Sequence, residues 1–189
     1  MKELPKAVLF TAFELLLCLV GIALAYLLFG GLPPTRWTVD LRSLGFAAAA
    51  SLPMLGFGLL ATSELGLRIP PLRRIYEALR DSPIGEFIRE HRWPTFLILS
   101  LCAGFAEEFL FRGVLQVKLG LILTSFIFGV LHALSWAYFI VATVIGFYLG
   151  GLYDWTGGNL FVPAAVHALY DFVVLLLFRR RMRLARPED

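Results

Sequence analysis

Ala103-Gly-Phe-Ala-Glu-Glu-Phe-Leu-Phe-Arg112 places two adjacent carboxylates, Glu107 and Glu108, in an apolar segment running from Pro94 to Phe111, with Arg112 directly after it. Moving a carboxylate into hydrocarbon is costly, so an intramembrane acid is a functional-site hypothesis by default. A helix turns about 100° per residue, so the two neighbours face different partners. Glu108 and Arg112 stand four apart, acid before base, the order that pairs along one helix face. Glu107 meets only Leu110 and Phe111 at the corresponding offsets. The spacing predicts a division of labour, with Glu108 neutralised by Arg112 and Glu107 left for chemistry. A structural ion-pair cluster joining helices is the alternative that this stretch leaves open.

Outward from it, the 189 residues are 59% hydrophobic and 16% charged, with a mean hydropathy of +0.78. Soluble domains are about 45–50% apolar and about 25% charged, so the expected class is an all-α, polytopic membrane bundle forming a single membrane domain over 1–189. A net charge of +3 is too small to suggest nucleic acid as a partner. Cys18 and Cys102 fall within apolar runs and read as small buried hydrophobes, not as a disulfide framework. Lys2 and Lys6 precede an apolar run longer than a signal peptide's core of about 7–15 residues, which predicts an uncleaved first span.

A crossing helix needs about 20 apolar residues. Ala7–Phe29 and Leu44–Thr62 qualify, with Pro53 a candidate kink in the second. Pro94–Phe111 is the third expected span. The charge-free run from Leu119 to Tyr153 is too long for one crossing, and a break at Ser135-Trp136 predicts spans over Leu119–Leu134 and Ala137–Tyr153. Leu160–Phe178 makes six. Ala142, Gly146 and Gly150 form a small-residue stripe suited to close helix packing. Between the second and third spans, residues 63–92 read as an amphipathic helix pair in the membrane interface, with Leu72, Ile75, Tyr76 and Leu79 on one face and a restart at Ser82-Pro83. Thirteen of the seventeen Lys and Arg then fall on the side of both termini and this segment; Arg36, Arg42, Arg112 and Lys118 fall opposite. The positive-inside rule predicts a cell-membrane protein with both termini cytoplasmic.

Two of the three histidines, His132 and His167, lie in expected spans, and Asp171 follows His167 by four residues. His91 reads as a surface residue, and Glu14, alone in the first span, as structural or snorkelling. From the non-cytoplasmic ends of their spans, Glu107 is expected roughly 6–10 Å deep, His167 roughly 10 Å and His132 roughly 18–20 Å, at about 1.5 Å per residue. Tilt and boundary shifts could bring the three to one cavity. A carboxylate and neutral imidazoles around a water supply the base and hydrogen-bond partners for amide hydrolysis. Ser125 and Ser135 sit in no nucleophile-elbow pattern. Two His and a Glu could bind zinc, but without metal-site spacing a metal-free, cofactor-free reading ranks higher.

Glu107-Glu108-Phe-Leu-Phe-Arg112, then Phe128-x-x-x-His132, then His167-x-x-x-Asp171, resembles the three ordered motifs of the CAAX prenyl protease and bacteriocin-processing family of intramembrane glutamic endopeptidases. The resemblance covers about residues 94–178. It implies metal-independent cleavage of a membrane-associated peptide, with Glu107 activating water helped by His132, His167 and Asp171 forming the oxyanion site, and Glu108, Arg112 and Phe128 in support. The third motif most often ends in Asn. An ionised Asp171 cannot donate to an oxyanion, so it is either protonated or orients His167. The resemblance also admits a non-catalytic immunity or partner-binding member, and the buried acids by themselves would suit a small ion or proton carrier. Expected partners are membrane lipids and a peptide or protein substrate, whose identity as prenylated tail, bacteriocin leader or other sorting tail stays open.

Overall fold

The computed structural model describes residues 6–184; Lys2 and the C-terminal Arg186 lie outside the described residues. Helix α1 (Lys6–Phe29) is apolar all round and presents Leu9, Phe13, Leu16, Leu19 and Leu27 outward, as a lipid-facing helix does. Helix α2 (Leu41–Thr62) starts at a capping box: Ser43 N–H donates to Asp40 Oδ1 at 2.7 Å, and Asp40 N–H to Ser43 Oγ at 2.9 Å. It continues through Pro53. Short helices α3 (Glu64–Leu67), α4 (Pro70–Arg80) and α5 (Pro83–Glu90) follow, with prolines at the first turns of α4 and α5.

The amphipathic segment turns its apolar face to the bundle, not to lipid. Tyr76 packs on Phe178 at 4.8 Å between ring centroids, Phe87 lies against Phe10 and Phe96, and Arg73, Arg74 and Arg80 stay exposed. Lys6 pairs with Glu86 and Glu90, and Arg181 with Glu64. These contacts gather the start of α1, the α3–α5 segment and the end of the last helix at one end of the bundle.

The third and fourth expected spans need correction. Helix α6 (Trp93–Glu108) does not stop near Phe111; it passes into a π-helical stretch, Phe109–Gln116, and on into α7 (Val117–Leu131). Arg112 is therefore no loop residue but fully buried, and leaves the count of charges opposite the termini. The reversal comes at Gly120, whose φ of 78° is open to glycine without strain. Beyond it α7 runs back beside the helix it came from, so Phe111 meets Phe128 at 4.9 Å. Its returning arm, residues 121–131, is about 16 Å long at 1.5 Å per residue, too short to cross a core about 30 Å thick. Among the described residues, five helical runs are long and apolar enough to cross a membrane, one of them being Trp93–Leu131 with its fold-back.

The break at Ser135-Trp136 is where the sequence places it: α8 (Trp136–Trp155) begins with Ser135 Oγ accepting from Tyr138 N–H. Helix α9 (Phe161–Leu184) packs against α2 and α6. Apart from a one-residue bridge between Arg36 and Asn159, no β pairing occurs among the described residues. The small-residue stripe is used, with Gly146 set against the Ser125 backbone.

Candidate active site

The α6–α9 contact is set by Gly104. A Cβ there would lie 2.8 Å from the Ala164 carbonyl and 2.9 Å from Ala168, so only glycine permits this approach. One turn further along α6, Glu108 then reaches across to α9, where His167 Nδ1–H donates to Glu108 Oε1 at 2.8 Å. The same oxygen accepts from Arg112 Nη1 at 2.7 Å, as the four-residue spacing predicts. Arg112 Nη2 donates to the Gly146 carbonyl at 3.0 Å, and Gln116 Nε2 to that of Gly150 at 3.0 Å. The π-helical stretch thus faces α8 with two successive polar side chains, a common setting for such stretches beside functional sites.

Glu107 sits halfway along the extended helix, fourteen residues after Trp93 and thirteen before Gly120. That places it about 20 Å below the turn, and His132, twelve residues past it, about 18 Å, at 1.5 Å per residue. The depth difference expected from the sequence closes because the helix does not end at Phe111. His132 Nε2 faces Glu107 Oε2 at 3.5 Å. His132 Nδ1–H donates to the Phe128 carbonyl at 2.8 Å, which leaves Nε2 of the neutral ring as an acceptor. Both atoms are acceptors and both border the cavity, so a water on the cavity side of the pair can donate one hydrogen to each. On the other wall, His167 Nε2 lies 3.4 Å from Asp171 Oδ2.

Phe128 is the shared wall. It stacks on His132 at 4.2 Å, meets the His167 ring edge-on at 6.2 Å, and lies under the Arg112 guanidinium at 4.9 Å. Glu107, Phe128, His132, His167 and Asp171 line one cavity of about 240 Å³, which extends to the apolar faces of α4 and α5. Glu108 and Arg112 sit behind it. Among the described residues no three His, Cys, Asp or Glu side chains converge as metal ligands would. His91 caps α5 by donating to the Phe87 carbonyl, and both cysteines are free.

The structure adds residues that the sequence reading did not place. Tyr138 and Ser100 line the cavity. Glu14 corrects its expectation: it is only 8% exposed and lines the same cavity, so it does not snorkel to the surface. The one sequence signal was a lone acid in an otherwise apolar first helix, and only helix packing could say which way it pointed.

A helical bundle with five membrane-length apolar runs and this buried acid–imidazole cluster is a polytopic membrane protein. Residues 89–173, a little under half of the chain, match the type II CAAX prenyl endopeptidase Rce1-like family. The segment contains Glu107, Glu108, Arg112, Phe128, His132, His167 and Asp171. The uncharacterized Bacillus subtilis (strain 168) protein YpbD is 49% identical over 83 residues, a match spanning 42% of this chain and 43% of that protein. No solved structure matches the chain.

Proposed function

We propose that the protein is an intramembrane endopeptidase that hydrolyses a membrane-associated peptide with a glutamate-activated water. The observation that carries this reading is the facing of Glu107 and His132 at 3.5 Å across the cavity from His167 and Asp171. Glu107 takes a proton from water held by it and His132 Nε2, and the hydroxide attacks the scissile carbonyl. His167, its Nδ1–H held by Glu108, offers Nε2–H to the oxyanion as an imidazolium protonated on both nitrogens. Collapse breaks the C–N bond, and Glu107 returns its proton to the leaving amine. Glu108 and Arg112 hold these groups from behind the cavity wall, and Phe128, in the wall itself, packs against both imidazoles.

In this reading both termini are cytoplasmic. Lys6, the α3–α5 segment and the arginines at the end of α9 share one end of the bundle, with few positive charges opposite. The cavity extends toward that end. The paired acid and imidazole favour the enzyme over a non-catalytic immunity or partner-binding member, which has no use for a water held by them.

The test is peptide trimming followed by mass spectrometry, using purified wild type and Glu107→Gln in lipid vesicles. The amide is nearly isosteric, so the variant should keep its melting temperature and lose cleavage. An active Glu107→Gln protein would refute the mechanism.

A further inference from the structure

Glu14 is an acid that the proposed reaction does not use, and it lies outside the family-matched segment. It is more than nine-tenths buried, lines the cavity, and its Oε2 has no hydrogen-bond partner among the described residues. A buried carboxyl without a partner is costly and calls for one. None of the residues lining the cavity is Lys or Arg. Arg112, behind the wall, is already engaged by Glu108 and the Gly146 carbonyl. Glu14, Glu107 and Asp171 therefore share a chamber in which, among the described residues, the His167 imidazolium is the only cation that the lining offers.

We propose that Glu14 forms a subsite for a cationic side chain, lysine or arginine, of the bound peptide. The walls on the approach suit the aliphatic stem of such a residue, with Phe10, Tyr76, Phe87 and Tyr170 among them.

Helix register locates the subsite. Gly21 lies on Phe109 and Leu110, and Lys6 reaches Glu86 and Glu90, so α1 runs parallel to α6. Seven residues before Gly21, Glu14 is level with Ala103, about 6 Å from Glu107 along the axis at 1.5 Å per residue, on the side of α4 and α5. An extended peptide advances about 3.3 Å per residue, so the cation falls about two residues from the scissile bond.

The proposal rests on the peptidase reading, and its test separates the two. Apolar dodecapeptides, each with one lysine or norleucine at a different position, are offered to vesicle-reconstituted wild type, Glu14→Gln and Glu14→Asp, with folding checked by thermal shift. Binding of the same fluorescent peptides is measured on Glu107→Gln with and without Glu14→Gln. In wild type, lysine about two residues from the cleaved bond should raise kcat/KM at least about tenfold over norleucine. Glu14→Gln should bring that ratio near one, and Glu14→Asp should keep part of it. A lysine preference in binding that needs Glu14, without cleavage of any peptide, would support the subsite and sink the peptidase. Equal loss on lysine and norleucine peptides, or no lysine preference in either measurement, would overturn the subsite.

Discussion

Glu108 is the most informative side chain to perturb, because a single oxygen joins two helices. Its Oε1 accepts from Arg112 at 2.7 Å and from His167 at 2.8 Å, and both Glu108 and Arg112 are 0% exposed. Its Oε2 has no hydrogen-bond partner among the described residues, so the amide nitrogen of Glu108→Gln replaces it without breaking a bond. What the substitution removes is the charge. Arg112 is then left buried against neutral acceptors, the carbonyl oxygen of the new side-chain amide and that of Gly146. Removing one partner of a buried ion pair costs about 3–5 kcal/mol. At about 2–4 °C per kcal/mol for a chain of this length, the melting temperature should fall by about 10 °C. Removing both charges, as in Glu108→Gln/Arg112→Met, should recover part of that loss, since the desolvation of Arg112 no longer has to be met. The recovery separates an uncompensated charge from lost packing. Thermal shift of the purified proteins in one detergent measures both effects. A Glu108→Gln protein as stable as wild type, or a double variant less stable than the single, would refute this account.

Gly104→Ala should lower stability and impair cleavage although it touches no polar site group, because its Cβ meets the α9 backbone; Gly45→Ala, with nothing within 4 Å, is the control, and melting curves beside activity compare them. Since Glu108 already orients His167 through Nδ1, Asp171→Asn should keep most activity while Asp171→Ala loses about 10²-fold, the scale of one oxyanion-hole contact; equal rates for Asp171→Ala and wild type would reduce the pair to helix packing. Chelators should leave cleavage intact, with substoichiometric zinc by elemental analysis. Stoichiometric zinc lost on mutating His132 or His167 would favour a metalloprotease instead.

The sequence determined what depends on neighbours along one helix. Composition was enough for an all-α membrane bundle, and four-residue spacing for the Glu108–Arg112 and His167–Asp171 pairs, because a helix presents those offsets on one face whatever surrounds it. Ser135 marked the start of α8 for an equally local reason, its side chain capping the first turn. Which faces met was not local. Glu108 and His167 are 59 residues apart, and their contact depends on how closely Gly104 lets α6 approach α9. Glu107 and His132 share a depth only because the helix runs past Phe111 and reverses at Gly120. Local hydropathy cannot time that reversal, since the residues from Leu119 onward are apolar on both sides of it. Glu14 is the clearest case: in a helix apolar all round, no periodicity says which side faces protein, and only the packing of α1 against α6 turned this acid inward.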